Sequence, residues 1–394
     1  MKKVRVEEAA AGQKVARTLF YPNGAAMLAT GATLTPATLQ RLAQFGYRDI
    51  YVFEEGAENV DCRDLVADSA RGPMARKLAS FFKQVRDSVA RAAGIGSDAD
   101  AAMVAEKLSN ADVRKVIKSL RFAEAVGGPE FDAFLDAIVS EKDAPMVAGA
   151  PRTEATHHVD HALNVAARSV LIGRRLSWTP RECREMCIGA LLHDVGYHVL
   201  PEEVIRTPVG KQLHPVAGYH VLRADTGVSL LAAHCAYQHH ERFDGHGWPR
   251  KLVGLRTLSG TESVGPGSMH RYAAIIAVAD RFDLLLAGFP DGWTMRDDEA
   301  IATMKAENGK ALHPAAMEAF LELTPVYPVG LEVEAEGGEF DGCSGIVASV
   351  AAGALDRPMI RFVRKGGAPL PAPQDVDTSK SEVRFRPRVA EGTR

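Results

Sequence analysis

The first 156 of the 394 residues contain no histidine, and no stretch of the chain approaches the 18 consecutive apolar residues of a membrane span. The run AAIIAVA at 273–279 is too short for that and reads as a buried helix segment. The opening MKKVRVEEAAAGQ has two lysines but not the apolar core of a secretory signal. Cysteine is scarce. Cys62, Cys183, Cys187, Cys235 and Cys343 are odd in number, and Cys183 and Cys187 lie four apart rather than in CxxC spacing. These absences predict a cytoplasmic protein with reduced, buried thiols and no membrane segment. Neither sign of charge is in excess, since 47 Lys and Arg face 50 Asp and Glu for a net charge of −3. That balance argues against a nucleic-acid polymer as partner.

What the chain does have is a concentration of histidine. Twelve of its 13 histidines lie between His157 and His270, about three times the even share of that window. Imidazole is the commonest metal ligand and a general base near neutral pH, so chemistry is expected there. With 46% hydrophobic residues, the chain has apolar material for two or three packed domains.

Composition and periodicity divide it into five segments. Residues 1–55 read as a small α+β module: short strands at VRV, VARTLFY, AMLAT and DIYVF, a Pro22-Asn23-Gly24 turn, and a helix opened by Thr35-Pro36 and stopped at Gly46. Residues 64–142 show helical periodicity with a break at Gly94–Ser97, and read as a spacer or input region. Residues 150–325 are again helical and carry the histidines. Thr179-Pro180 starts one helix, which ends near His193-Asp194 and Gly196, and another runs from His157 to about Arg174. Residues 326–365 read as a short β appendage and residues 366–394 as a loose tail. The fold class expected is mainly α, with a small α+β module before the helices and a β appendage after them.

Within the histidine window the spacing is informative. His157 and His161 are one helical turn apart and share a face. His193-Asp194 sit where a helix breaks before a glycine. His214-Pro215 and His239-His240-Glu241 follow, and Asp280 ends an apolar run in which an unpaired carboxylate would be costly. Singly, each of these is more often a hydrogen-bonded core or surface residue than a ligand. Their ordered series is what shifts the balance.

The stretches HALNVA (161–166), HDVG (193–196), HPVAG (214–218), HHERFDGHGWP (239–249) and AVADRFD (277–283) resemble the HD-GYP family, a branch of the HD-type metal-dependent phosphohydrolases associated with hydrolysis of cyclic di-GMP. The resemblance covers about a third of the chain well. It implies an HD-type helical bundle and a metal set of His161, His193, Asp194, His214, His239, His240 and Asp280, with Asp194 between two ions and His157 available to a third. Two or three divalent transition-metal ions are implied, Fe or Mn ahead of Zn or Ni. They would activate a water for in-line attack on phosphorus, giving pGpG and then GMP. Asp194 is accordingly assigned a catalytic role, as are Glu241 and Asp244, whose carboxylates are expected to orient ligand imidazoles.

The chain also departs from the family pattern. Tyr197 replaces the lysine of HDxGK, and Trp248 replaces the tyrosine of GYP. LLLAGFPDGW, with Phe289 and Gly292, stands where a basic RPYR-like segment is usual, and TLSGTESVGPGSMH is extra sequence near the site. Tyr197, Trp248 and Arg281 are the expected substrate contacts, with Arg271, Arg296 and Lys211 as further replacements for the missing cations. His198 and His246 flank the motifs and are candidates for substrate contact. Two lost charge-assisted contacts at about 1.5–3 kcal/mol each would weaken cyclic di-GMP binding by roughly two orders of magnitude or more. A metal-binding docking module of low activity, and hydrolysis of another nucleotide, therefore stand beside the phosphodiesterase reading. A homodimer or a signalling partner is expected to engage residues 1–142.

Overall fold

The computed structural model describes the chain except for residues 22–25, 63, 141–152, 154–155, 206, 225, 259–264, 266, 288–293 and 389–394. The expected Pro22-Asn23-Gly24 turn lies outside the described residues, as do Phe289 and Gly292. The fold is mainly helical, with short strands near the start and a sheet near the end. It divides into two compact units.

One unit comprises residues 1–64, 143–157 and 322–394. In it β1 (Lys2–Arg5) pairs antiparallel with β4 (Asp49–Val52), and β2 (Leu19–Phe20) pairs with β3 (Ala26–Leu28). The Pro36–Gln44 helix starts as Thr35-Pro36 predicts. The Thr35 hydroxyl accepts from the Thr38 N–H, Thr38 returns a bond to the Thr35 backbone, and Pro36 occupies the first turn, where its missing N–H costs nothing. Val4, Val15, Leu34, Leu42 and Ile50 form the core beneath these elements.

The same unit contains an antiparallel sheet of order β8-β7-β6-β5-β9, formed by β5 (Glu332–Glu336), β6 (Cys343–Ser349), β7 (Met359–Lys365), β8 (Ala368–Asp377) and β9 (Arg384–Pro387). Strands β8 and β9 correct the expectation of a loose tail over 366–394. Both are edge strands with one side unpaired, where proline and charge are tolerated, so a composition that reads as disordered fits them as well. Ala57 and Val60 pack with Ile346 and Val363, which ties the early strands to the late sheet.

The other unit comprises residues 65–142 and 158–321, so the segment read as a spacer shares a compact body with the histidine-bearing helices. The Asp68–Gln84 helix passes through a π-helical stretch, Val85–Ala90, into Arg91–Ala93 and ends at Gly94, whose φ of 53° is the left-handed C-cap conformation. The helices Ala101–Ser109, Ala111–Ser119 and Gly128–Ser140 follow. The helices that carry the motifs are His157–Arg175, Pro180–Leu192, Pro208–Leu222, Leu230–Gln238 and Arg271–Ala287. Among the described residues no helix is long and apolar enough to cross a membrane, and all five cysteines are buried and unpaired.

Candidate metal centre

Each motif delivers its side chain by a local device. His161 lies one turn into the His157–Arg175 helix and is fully buried. The Pro180–Leu192 helix begins with a Thr179/Glu182 capping box and ends with His193 as its C-cap. Asp194 then takes φ −98°, ψ 9°, the sparsely populated bridge region common at active sites, and a 3-10 turn, Val195–Val199, follows. Through this break two adjacent side chains turn to one side. Gly196 is required by packing, because a Cβ there would lie 2.0 Å from the His214 carbonyl oxygen and 2.6 Å from the Gly218 nitrogen.

His214 precedes Pro215 inside the Pro208–Leu222 helix. Proline cannot donate to the carbonyl four residues back, which is that of Lys211. The indole N–H of Trp248 donates to that carbonyl instead, at 3.2 Å, while its ring stacks on His240 with centroids 4.9 Å apart. The HP and GWP motifs thus complete each other. His239 caps the Leu230–Gln238 helix, and the Arg271–Ala287 helix carries Asp280 and Asp283.

These devices converge on two triads. His161, His193 and Asp280 bring ligand atoms within 4.8 Å of one another, as do His214, His239 and His240. Asp194 spans the two. Its Oδ2 is 3.5 Å from Nε2 of both His161 and His193, and its Oδ1 is 3.3 Å from His214 Nε2 and 3.5 Å from His239 Nε2. All seven residues expected as ligands from the resemblance therefore lie in one cluster. His157 opens its helix and is buried, but no triad among the described residues includes it.

The protonation pattern shows what this cluster suits. His193 Nδ1 donates to the Ala190 carbonyl at 2.7 Å, His214 Nδ1 to that of Gly210 at 3.1 Å, and His239 Nδ1 to that of Ala236 at 2.9 Å. Burial holds His193 at about 4 and lowers His214 and His240. In a neutral ring with Nδ1–H so committed, Nε2 carries a bare lone pair. His214 and His239 point these lone pairs at each other across 3.1 Å, which is repulsive unless a cation lies between them. His161 behaves differently. Burial pulls it down, but hydrogen bonds and charge from Asp280 and Asp283 outweigh this and raise it to about 10. Nitrogen and carboxylate donors in this arrangement fit divalent transition metals.

Asp283, Asn164 and Arg168 were not singled out from the sequence. Asp283 is fully buried and accepts three hydrogen bonds, from His161 Nδ1 at 2.8 Å, Asn164 Nδ2 at 3.0 Å and Arg168 Nη1 at 2.7 Å. It is the carboxylate that orients the His161 imidazole, a task of the kind expected of Glu241 and Asp244. Glu241 instead accepts the backbone N–H groups of Arg250 and Leu252 at 2.7 and 2.8 Å, which folds the HHERFDGHGWP loop. Asp244 pairs with Arg242 and accepts the His246 N–H. The reason is local: their carboxylates are taken up by backbone N–H groups and by Arg242 within the loop that follows His240. A signal for Asp283 was present, since it lies three residues after Asp280 on the same helical face, as Asn164 and Arg168 lie three and seven after His161.

Residues expected to contact substrate make these contacts within the protein. Tyr197 is buried and stacks on His214 at 3.9 Å. Arg281 commits its guanidinium to Glu307 at 2.6 and 3.0 Å, Arg271 pairs with Glu182, and Arg296 pairs with Asp298. His198 is buried against Phe82, whereas His246 is exposed beside Asp244.

Comparison with known proteins agrees with this geometry. An HD domain family model matches residues 144–315. The cyclic di-GMP phosphodiesterase PA4108 of Pseudomonas aeruginosa is 25% identical over 86% of this chain and 79% of its own length. The cyclic di-GMP phosphodiesterase response regulator RpfG of Xanthomonas campestris is 33% identical over 38% of this chain and 39% of its own. A 3'3'-cGAMP-specific phosphodiesterase 2 of Vibrio cholerae is 31% identical over 33% of this chain and 24% of its own. The chain thus spans well under half the length of the last two. An HD domain implies divalent-metal binding, and the His and Asp triads lie within the matched residues. Residues 144–315, which carry the ordered HD, HP, HHE and GWP motifs, thus match the HD domain family, and the chain is similar to cyclic di-GMP phosphodiesterases.

Proposed function

We propose that the protein is a metal-dependent phosphodiesterase that hydrolyses cyclic di-GMP to pGpG and GMP. The observation that carries this is the Asp194 carboxylate, which reaches one buried triad with each oxygen. His161, His193 and Asp280 would hold one ion and His214, His239 and His240 a second, with Asp194 shared and His157 available to a third. Fe or Mn is the first choice and Zn or Ni the second. Such ions supply Lewis acidity, which polarises phosphoryl oxygens and acidifies water.

The chain's own residues do the rest. The backbone carbonyls behind His193, His214 and His239 hold their rings in the ligand tautomer. Asp283 does the same for His161. Tyr197 and Trp248 brace His214 and His240 by stacking, and the exposed face of Trp248 is available to a nucleobase. Arg281 commits Nε and Nη2 to Glu307, so a phosphate would compete with that carboxylate for its guanidinium, and substrate affinity is expected to be modest.

A second reading within the same chemistry is hydrolysis of 3'3'-cGAMP, favoured by the name of the Vibrio relative and by the altered Tyr197 and Trp248 positions. The test is chromatographic product analysis with metal-loaded, anaerobically purified protein. Release of pGpG and GMP from cyclic di-GMP, lost in Asp194→Ala, is the expected outcome. Turnover of 3'3'-cGAMP alone would move the assignment to the second reading, and no turnover of either would overturn both.

A further inference from the structure

A buried arginine from outside the HD match sits behind the first triad. Arg71 lies in the Asp68–Gln84 helix, buried, in the same compact unit as the histidines. Its guanidinium reaches the His157–Arg175 helix at two points. Nη1 donates to Asn164 Oδ1 at 2.9 Å, and Nη2 donates to Asp160 Oδ1 at 2.8 Å. These two acceptors flank His161 on that helix.

The chemistry of the amide gives the first bond its meaning. Asn164 also faces Asp283, and an ionised carboxylate only accepts. The Asn164 NH2 must therefore point at Asp283 Oδ1, which leaves its carbonyl oxygen facing the other way, toward a required donor. Arg71 is that donor. A continuous set of bonds runs from Arg71 through Asn164 to Asp283 and on to His161 Nδ1. Without Arg71 the amide can turn over and set its oxygen against Asp283, weakening the hold on His161.

We propose that Arg71 is a positioning residue of the metal centre, acting through Asn164 and Asp283 to fix the His161 ring. The inference rests on the metal-binding reading above. It gives residues 65–142 a part in the centre that the HD match, which begins at residue 144, does not contain.

The test is Mn(II) affinity of the full chain by competition with a chelator, in a double-mutant cycle. Arg71→Met is expected to weaken binding roughly tenfold, the lower end of outer-shell effects. Asn164→Ala should weaken it at least as much, and the double variant no more than Asn164→Ala alone. Lys77→Ala removes a contact of the same helix to Gly127 and Glu130 and should leave affinity unchanged. If Arg71→Met fails to fold, Arg71→Lys replaces it. A single ammonium cannot hold both acceptors, so about a threefold loss is expected. Wild-type affinity in the Arg71 variants, or independent effects that multiply in the double variant, would overturn the inference alone. A wild-type chain that takes up no Mn(II) would overturn the metal reading and this inference with it.

Discussion

At the scale of single residues, the centre depends on groups that never touch a ligand atom's lone pair. Asp283 accepts from three donors, one of them the guanidinium of Arg168, which is itself fully buried. Asp283→Asn would remove the charge that faces Arg168 and loosen His161. Metal affinity is expected to fall about 10–100-fold, measured by chelator competition. Gly196 acts by exclusion. In Gly196→Ala the new methyl would overlap the His214 backbone, and the resulting overpacking should cost about 1–3 kcal/mol in a denaturant melt. Both outcomes trace to atoms whose partners come from a different helix.

At the scale of elements, helix ends aim the clustered histidines. The Thr179/Glu182 box starts the helix that places His193, so Thr179→Ala is expected to lower stability by about 1 kcal/mol in equilibrium unfolding. The start of the Arg271–Ala287 helix carries a pH dependence. Burial, with the charge of Arg271 second, holds His270 at about 4 against its ordinary 6.5. Its folded value is the lower, so below pH 6.5 the unfolded chain binds the proton more readily and stability is lost as pH falls toward 4. The full loss is on the order of 3 kcal/mol. His270→Gln should flatten the stability curve between pH 6.5 and 4.5, and an unchanged slope would show that His270 is not its source. The caps and breaks were legible in the sequence, because Thr-Pro starts and glycine stops act within a few residues. Edge strands β8 and β9 were not, because an edge is defined by a neighbour that is missing in space.

At the scale of the whole molecule, a cluster of buried neutral imidazoles whose lone pairs face one another is stabilised by a cation that binds those lone pairs. Removing divalent ions with a chelator should lower the melting temperature of the native protein. The underlying loss is about 4 kcal/mol if the ions had been present at a thousandfold excess over Kd. Hydrogen exchange should locate the effect in His157–Arg175 and Pro180–Leu192, with the five-stranded sheet, which carries none of the seven residues, as the reference. Equal loss of protection in both would refute a local role for the ions.

The histidine window, the motif order and the helical class were determined by the sequence alone, since residue type and spacing are enough to define candidate ligands on helical faces. The tertiary structure decided which carboxylate serves which imidazole. Glu241 stands next to two histidines of the cluster in the chain yet turns to the backbone of its own loop, while Asp283 reaches His161 across 122 residues. Hydrogen bonding depends on distance and direction in space, and neighbours in sequence share neither once a helix has ended.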